Sequence, residues 1–92
     1  MPSAVLQEML AQVAQGSSVG EAAQRLGLTC ESRTVDAHYD GKPVCQVTLP
    51  YVVAGHAVLV YDSSLDPEIA ESRLQSLAQS LDLPVCLVYP QN

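Results

Sequence analysis

Hydrophobic positions in the first quarter of the chain recur at the spacing of α-helices. In segment 2–15 the apolar residues form one stripe at helical spacing, which predicts a first helix beginning at Pro2 or Ser3. Ser18 stands three residues before a glutamate, the spacing of a capping box. We therefore predict a second helix over about 19–26, packed with the first one.

After Glu31 the apolar period changes to two, which is typical of β-strands. The stretch 39–42, Tyr-Asp-Gly-Lys, is a hairpin turn signal. We expect a three-residue loop with Gly41 in the left-handed region, so that Val35 lies opposite Cys45. This register gives the hairpin one apolar face made of Val35, Ala37, Cys45, Val47 and Leu49.

The second half of the chain predicts a strand, a helix and a strand. Pro50 has no backbone N–H, so we expect either a bulge in the second strand or an edge position for that strand. The run 57–61 is apolar without alternation, so both faces of this third strand should be covered. Asp66 followed by Pro67 predicts the start of a third helix. Segment 85–89 predicts the fourth strand.

These elements predict an α+β fold: two N-terminal helices, then β-β-β-α-β forming a mixed four-stranded sheet with a C-terminal βαβ unit. The third helix should cover one face of the sheet, and the N-terminal helices the other. The length favours a single domain over 1–92, with a helical pair at 1–28 and the sheet plus its helix at 31–92.

Net charge and cysteine content limit the classes of partner and the cellular location that we expect for this protein. The net charge of −6 favours a protein partner or a second copy of the chain, because such a surface repels nucleic-acid phosphates. The three cysteines show no paired spacing, which indicates reduced thiols and a cytoplasmic location. No apolar run is long enough for a membrane span, and the first residues do not resemble a signal peptide, so we expect no membrane partner.

The polar residues after the third strand are the candidate ligand site. Asp62, Ser63 and Ser64 have no evident structural role, and they follow a parallel strand, where ligands of open sheets bind. We expect His38 to share this rim, because the hairpin tip should lie at the same end of the sheet. His56 should lie at the opposite end, roughly 20 Å from Asp62, which excludes a Ser63–His56–Asp62 triad.

Enzyme motifs are missing from the sequence. It contains no glycine-rich phosphate loop, no nucleophile elbow and no metal-ligand spacing. We therefore expect no catalytic residue, no metal and no cofactor, and we regard an enzymatic function as the weaker hypothesis.

Two resemblances offer alternative functions. The stretch 20–29 (GEAAQRLGLT) followed by 32–38 (SRTVDAH) resembles the helix-turn-helix of LuxR-type response regulators. The resemblance implies a DNA-binding regulator that uses segment 19–38, with Arg33, Thr34 and His38 on its recognition helix. In size, acidity and α/β layout the chain also resembles type III secretion chaperones, which dimerise and hold an effector segment.

The fourth strand is the candidate surface for interaction with a partner. Its apolar run should lie at an edge of the sheet, and such an edge invites pairing with another strand. The candidate interface residues are Val85, Leu87 and Tyr89. We predict a small acidic protein-interaction or regulatory module that acts as a homodimer or another homo-oligomer.

Overall fold

The computed structural model describes residues 3–91, and its elements confirm the predicted order and the α+β class. Pro2, one of the two predicted starts of the first helix, lies outside the described residues. In chain order the elements are α1 (Ala4–Ala14), α2 (Val19–Arg25), β1 (Cys30–Tyr39), β2 (Lys42–Val53), β3 (His56–Val60), α3 (Pro67–Ser80) and β4 (Val85–Val88).

Each helix begins at a residue that satisfies a free backbone N–H of the first turn. Ser3 Oγ accepts a hydrogen bond from Leu6 N, and Asp66 accepts one from Glu68 N. Ser18 Oγ accepts a hydrogen bond from Glu21 N, which is half of the predicted capping box.

The chain folds into three layers around a four-stranded sheet of order β1-β2-β3-β4. β1, β2 and β3 are antiparallel neighbours, whereas β3 and β4 run parallel around α3 as the predicted βαβ unit. One core cluster joins α1 and α2 to the sheet through Leu6, Met9 and Ala22. A second cluster joins α3 to the opposite face through Leu74. The two helical layers therefore cover the two faces, as predicted.

β3 is the strand that both layers bury. Val58 belongs to the cluster under α1 and α2, whereas Ala57 and Leu59 belong to the cluster under α3. All three side chains are buried, which explains why this strand is apolar at consecutive positions.

The turn of the β1–β2 hairpin differs from the predicted three-residue loop. Asp40 and Gly41 form a two-residue turn with φ values of 53° and 75°, and Tyr39 lies opposite Lys42. A register shift follows immediately, at Val44, which has no partner on β1. The predicted register was wrong because it placed the extra residue of the hairpin in the loop, whereas the structure places it in β2 as a bulge.

The apolar face of the hairpin survives this error. Val35 lies opposite Val47, two positions from the predicted partner Cys45. A shift of two residues leaves every side chain on its predicted face, because strand side chains alternate with a period of two. On this face Ala37 and Leu49 are buried.

β2 and β3 separate soon after the turn that joins them. Their ladder contains the pairs Val53–His56 and Val52–Ala57, although β2 has 12 residues and β3 has 5. A register shift against β1 falls at Pro50 and Tyr51, so of the two predictions at Pro50 the bulge is the one that occurs. Residues 33–49 therefore continue as a two-stranded arm, which packs on α3.

Candidate functional site

The connection between β3 and α3 is held by Asp62. Its Oδ1 accepts hydrogen bonds from the backbone N of Ser64 at 3.0 Å and from the Ser64 hydroxyl. The carbonyl of Asp62 accepts a further hydrogen bond from Leu65 N at 3.3 Å. These bonds form a turn that leads into α3, so Asp62 and Ser64 do have a structural role. Ser63, between them, is exposed.

The turn also changes the acidity of Asp62. The hydrogen bonds from the Ser64 hydroxyl and backbone stabilise the carboxylate, and they lower the pKa of Asp62 below its ordinary value of 3.8. The positive charge of Arg73 acts in the same direction. Asp62 is therefore an anion at neutral pH, and its Oδ2 accepts no hydrogen bond from residues 3–91.

His38 does not share a rim with Asp62. It lines a cleft with Gln79 and Asp82, at the C-terminal end of α3, whereas Asp62 precedes the N-terminal end. The 14 residues of α3 separate these ends by roughly 21 Å. The expected common rim required β3 to run alongside β2 as far as the hairpin tip. β3 is too short for this, and the arm bends across α3 instead.

The cleft around His38 is polar. His38 is half-buried, and its Nδ1 is buried without a hydrogen-bond partner among the described residues. Asp40 and Asp82 contribute carboxylates to the lining. No group of three or more His, Cys, Asp or Glu side chains in residues 3–91 is arranged to hold a metal ion.

An apolar cavity of about 290 Å³ lies where β2 and β3 separate, over the inner face of α3. Thr48 to Tyr51 form the β2 side, and Val58 to Val60 form the β3 side. The α3 side carries Ala70, Leu74 and Leu77. The bulge at Pro50 is the only sequence signal for this cavity, because the separation of the strands depends on the tertiary path of the arm.

Two charged groups stand on the rim of this cavity, namely Asp62 and Arg73. Within residues 3–91 neither takes part in an ion pair, although the two charges are close enough to interact. Arg25 and Arg33, by contrast, pair with glutamates on their own elements. Arg73 was not predicted as a site residue, because a lone arginine on an amphipathic helix has the pattern of an ordinary solvent-exposed charge.

β4 forms one edge of the sheet, as predicted, and no described strand lies beyond it. Ala57 N donates to the carbonyl of Pro84, and Tyr61 N donates to the carbonyl of Val88, both at 2.8 Å. In a parallel ladder alternate residues direct both backbone groups to the same neighbour. The residues whose backbone groups point away from the sheet are therefore Val85, Leu87 and Tyr89.

The side chains of these three residues, unlike their outward backbone groups, already contact other parts of the chain. Val85 and Leu87 are half-buried against the cluster under α3. Tyr89 is 46% exposed, but its hydroxyl donates a hydrogen bond to Glu71 and its ring packs against Tyr61 with centroids 5.4 Å apart. A partner at this edge would consequently meet backbone groups first.

The stretch that resembles a helix-turn-helix adopts a different structure. Segment 19–25 is helical, but residues 32–38, which the resemblance assigns to a recognition helix, lie in strand β1. Arg33 is on this strand and pairs with Glu31. The geometry that would insert a helix into a DNA groove is therefore not formed by these residues.

No helix in residues 3–91 has the length and apolarity that crossing a membrane requires. No protein-family model, curated protein or solved structure matches this chain. Its function therefore has to be inferred from the chemistry of its own residues.

Proposed function

We propose that this protein is an acidic interaction module that acts as a homodimer, with the β4 strands of two copies paired edge to edge. The observation that carries the proposal is the outward direction of the backbone groups of Val85, Leu87 and Tyr89 at an apolar edge. Unpaired N–H and C=O groups in a row are a template for another strand.

The distribution of charge supports a second copy at this edge. The chain carries a net charge of −6, so two copies repel each other over most of their surfaces. Residues 83–92 contain no charged side chain. The opposite edge, β1, carries Glu31, Arg33 and Asp36, and charges of this kind protect an edge from pairing. The β4 edge is therefore where two acidic copies approach at the lowest electrostatic cost.

Two prolines limit the register of the pairing. Pro84 and Pro90 have no backbone N–H, so the pairing segment is confined to the residues between them. A two-fold axis at Leu87 makes the two strands antiparallel and pairs Val85 of each copy with Tyr89 of the other. All the outward backbone groups of the segment then find partners, and the contact is self-complementary, as a two-fold dimer requires.

A substitution at the proposed axis tests the dimer. In this register Leu87 lies directly opposite its own copy, so Leu87→Lys places two ammonium groups face to face, which opposes pairing. Leu87→Met is the matched control, because it keeps an apolar side chain of similar volume. Light scattering after gel filtration at micromolar concentration gives the mass, and circular dichroism checks that each variant is folded.

We expect the wild-type chain and Leu87→Met to have the mass of a dimer, and folded Leu87→Lys to have the mass of a monomer. A monomeric wild-type chain would overturn the proposal. A dimeric, folded Leu87→Lys would show that the copies associate through another surface, and it would overturn the assignment to β4. Arg33→Glu on β1 tests that alternative edge directly, and we expect it to leave the dimer intact.

A further inference from the structure

The apolar cavity between β2, β3 and α3 supports an inference that goes beyond self-association. We infer that it binds a free α-amino acid with an apolar side chain, whose ammonium group pairs with Asp62 and whose carboxylate pairs with Arg73. Such a ligand would make the protein a small-molecule sensor or carrier as well as an interaction module.

The lining determines what fills the body of the cavity. Leu49, Leu59, Leu74 and Leu77 contribute aliphatic surface from both strands and from the helix. The polar groups of the lining belong to Thr48, Tyr51, Asp62 and Arg73, and only the last two are charged. Small-molecule sites combine a largely apolar lining with a few polar groups that set the orientation of the ligand. An aliphatic or aromatic side chain is the group that gains most from entering this lining.

The volume limits the size of the ligand. About 290 Å³ is just below the range of most ligand sites, which runs from roughly 300 to 1,000 Å³. A single amino acid is of this scale, whereas a folded segment or a peptide of several residues is not.

The charges on the rim determine the head group. Asp62 and Arg73 are opposite in sign, line the same cavity and form no ion pair with each other or with other groups in residues 3–91. Oδ1 of Asp62 is occupied by Ser64, which fixes the carboxylate and leaves Oδ2 for a ligand. A guanidinium binds a carboxylate in a bidentate manner. A ligand with one cationic and one anionic group on the same carbon offers a partner to each of the two side chains.

Alternative ligands satisfy only part of this arrangement. A fatty acid would fill the apolar lining and pair with Arg73, but it would bring its carboxylate towards the Asp62 anion. An apolar amine would pair with Asp62 and approach Arg73. An amino acid within a peptide has no free ammonium and carboxylate on the same carbon. The free amino acid is the ligand class that meets both charges and the apolar lining together.

The first experiment titrates the full chain with four probes and follows its backbone amide signals by NMR. The probes are L-leucine, 4-methylpentanoate, which lacks the amine, 3-methylbutan-1-amine, which lacks the carboxylate, and N-acetyl-L-leucine amide, which lacks both charges. We expect L-leucine to shift the signals of Leu59, Leu74 and their neighbours. Each of the other probes should bind at least about tenfold more weakly, because 4-methylpentanoate and 3-methylbutan-1-amine each lack one charged group and the capped amide lacks both.

Several outcomes would overturn the inference. One is the absence of any shift with L-leucine at millimolar concentration. Another is equal binding of 4-methylpentanoate, which would make the cavity a simple carboxylate site. Equal binding of the capped amide would point to a peptide, and shifts confined to the cleft around His38 would place the ligand elsewhere.

Matched variants locate the two charged contacts. Arg73→Gln and Asp62→Asn each remove one charge, and the asparagine keeps an oxygen that accepts the Ser64 hydrogen bonds. Arg33→Gln and Asp36→Asn remove the same charges outside the cavity. We expect the first two variants to weaken L-leucine at least about tenfold and the controls to bind it as the wild type does. Loss of affinity in a control to the same degree would contradict the assigned contacts.

The proposed ligand site and the proposed dimer can be tested independently of each other. The cavity lies between β2, β3 and α3, away from the outer edge of β4. We expect folded Leu87→Lys to bind L-leucine as tightly as Leu87→Met does. If disruption of the β4 edge abolishes binding while the chain stays folded, the single-copy site described here is wrong.

Discussion

The hydroxyl of Tyr89 donates a hydrogen bond to Oε1 of Glu71 across 3.1 Å, which ties the chain after β4 to the first half of α3. The Tyr89 ring also packs at a tilt of 34° on Tyr61, which follows β3. The carboxyl ends of both parallel strands and the helix between them therefore meet at one tyrosine. This contact lies next to the proposed dimer edge and fixes the position of its last residue.

The contact predicts how stability changes at alkaline pH. Burial against its neighbours and the Glu71 carboxylate raise the pKa of Tyr89 above its ordinary value of 10.0. A group whose pKa is raised by folding stabilises the fold below its unfolded pKa, and this contribution is lost as the pH rises through the folded pKa. We therefore expect Tyr89→Phe to be less stable than the wild type at neutral pH, and the difference to shrink above pH 10.0.

Urea unfolding at a series of pH values measures this difference. Tyr39→Phe is the control, because Tyr39 is 77% exposed at the hairpin tip, and we expect its stability to follow that of the wild type. A difference between Tyr89→Phe and the wild type that stays constant above pH 10.0 would contradict the assigned hydrogen bond.

For Asp62 we expect the opposite dependence of stability on pH, with the loss at acid pH. The Ser64 hydrogen bonds lower the pKa of Asp62, so its carboxylate stabilises the fold above the unfolded pKa, near 3.8. This contribution is lost as the pH falls through the lowered folded pKa. Asp62→Ala should therefore be less stable than the wild type at neutral pH and should approach it in acid. Thermal unfolding at several pH values measures the two curves, and parallel curves would exclude a pH-dependent role for this turn.

Asp36→Ala provides the comparison for this prediction. Asp36 is an exposed carboxylate on β1, and it accepts no side-chain hydrogen bond from a serine as Asp62 does. We expect its variant to follow the acid unfolding of the wild type. A curve like that of Asp62→Ala would mean that net charge, rather than the turn, controls acid unfolding.

The position of Leu6 in the core leads us to expect that the helical pair and the sheet unfold together. This α1 side chain is 0% exposed and lies in the same core cluster as Val58 of β3 and Val88 of β4. Leu6→Ala removes contacts across the two parts, which should lower the free energy of unfolding by about 2–5 kcal/mol. Because one core joins the parts, helix and sheet signals should still disappear in a single transition.

Val5→Ala is the matched control, since Val5 lies on the same helix but is 44% exposed. We expect it to change the stability by less than about 1 kcal/mol. If Leu6→Ala melts α1 and α2 before the sheet, residues 1–92 do not form the single cooperative domain that we predict. Circular dichroism and one-dimensional NMR distinguish the two cases.

The parts of the fold that sequence analysis predicted correctly depend on local periodicity. Ala57, Val58 and Leu59 are consecutive apolar residues because both faces of β3 are buried, and that condition can be recognised from the sequence alone. The helix starts at Ser18 and Asp66 likewise depend on hydrogen bonds to residues two or three positions away. Such contacts do not require knowledge of the tertiary path of the chain.

The candidate site was harder to predict, because it depends on where long segments travel. His38 and Asp62 were expected at one rim, but the β2–β3 ladder ends at the Val52–Ala57 pair, and His38 lies at the opposite end of α3 from Asp62. The same separation of strands opens the apolar cavity and gives Arg73 its position on the rim. Periodicity determines the face of a side chain, but it does not determine how far two strands stay together.

The two hairpin turns provide a final prediction, because they have the same conformation and different sequences. Asp40-Gly41 has φ values of 53° and 75°, and Ala54-Gly55 has 51° and 77°. Positive φ at both central positions is typical of type I′ turns, which favour Asn-Gly and Asp-Gly. An alanine in the left-handed region costs about 1–2 kcal/mol, because its Cβ approaches the carbonyl oxygen. Ala54→Asn should relieve part of this cost, and Asp40→Ala should introduce it.

We expect Ala54→Asn to raise the free energy of unfolding by about 0.5–1 kcal/mol and Asp40→Ala to lower it by a similar amount. For a domain of this size 1 kcal/mol corresponds to a shift of about 4–8 °C in Tm, which differential scanning calorimetry resolves. Ala11→Asn, on the exposed face of α1, is the control, and it should destabilise the chain slightly because asparagine is a poor helix former. If Ala54→Asn lowers Tm as Ala11→Asn does, the alanine is not strained. The β2–β3 connection must then adopt a turn of another type.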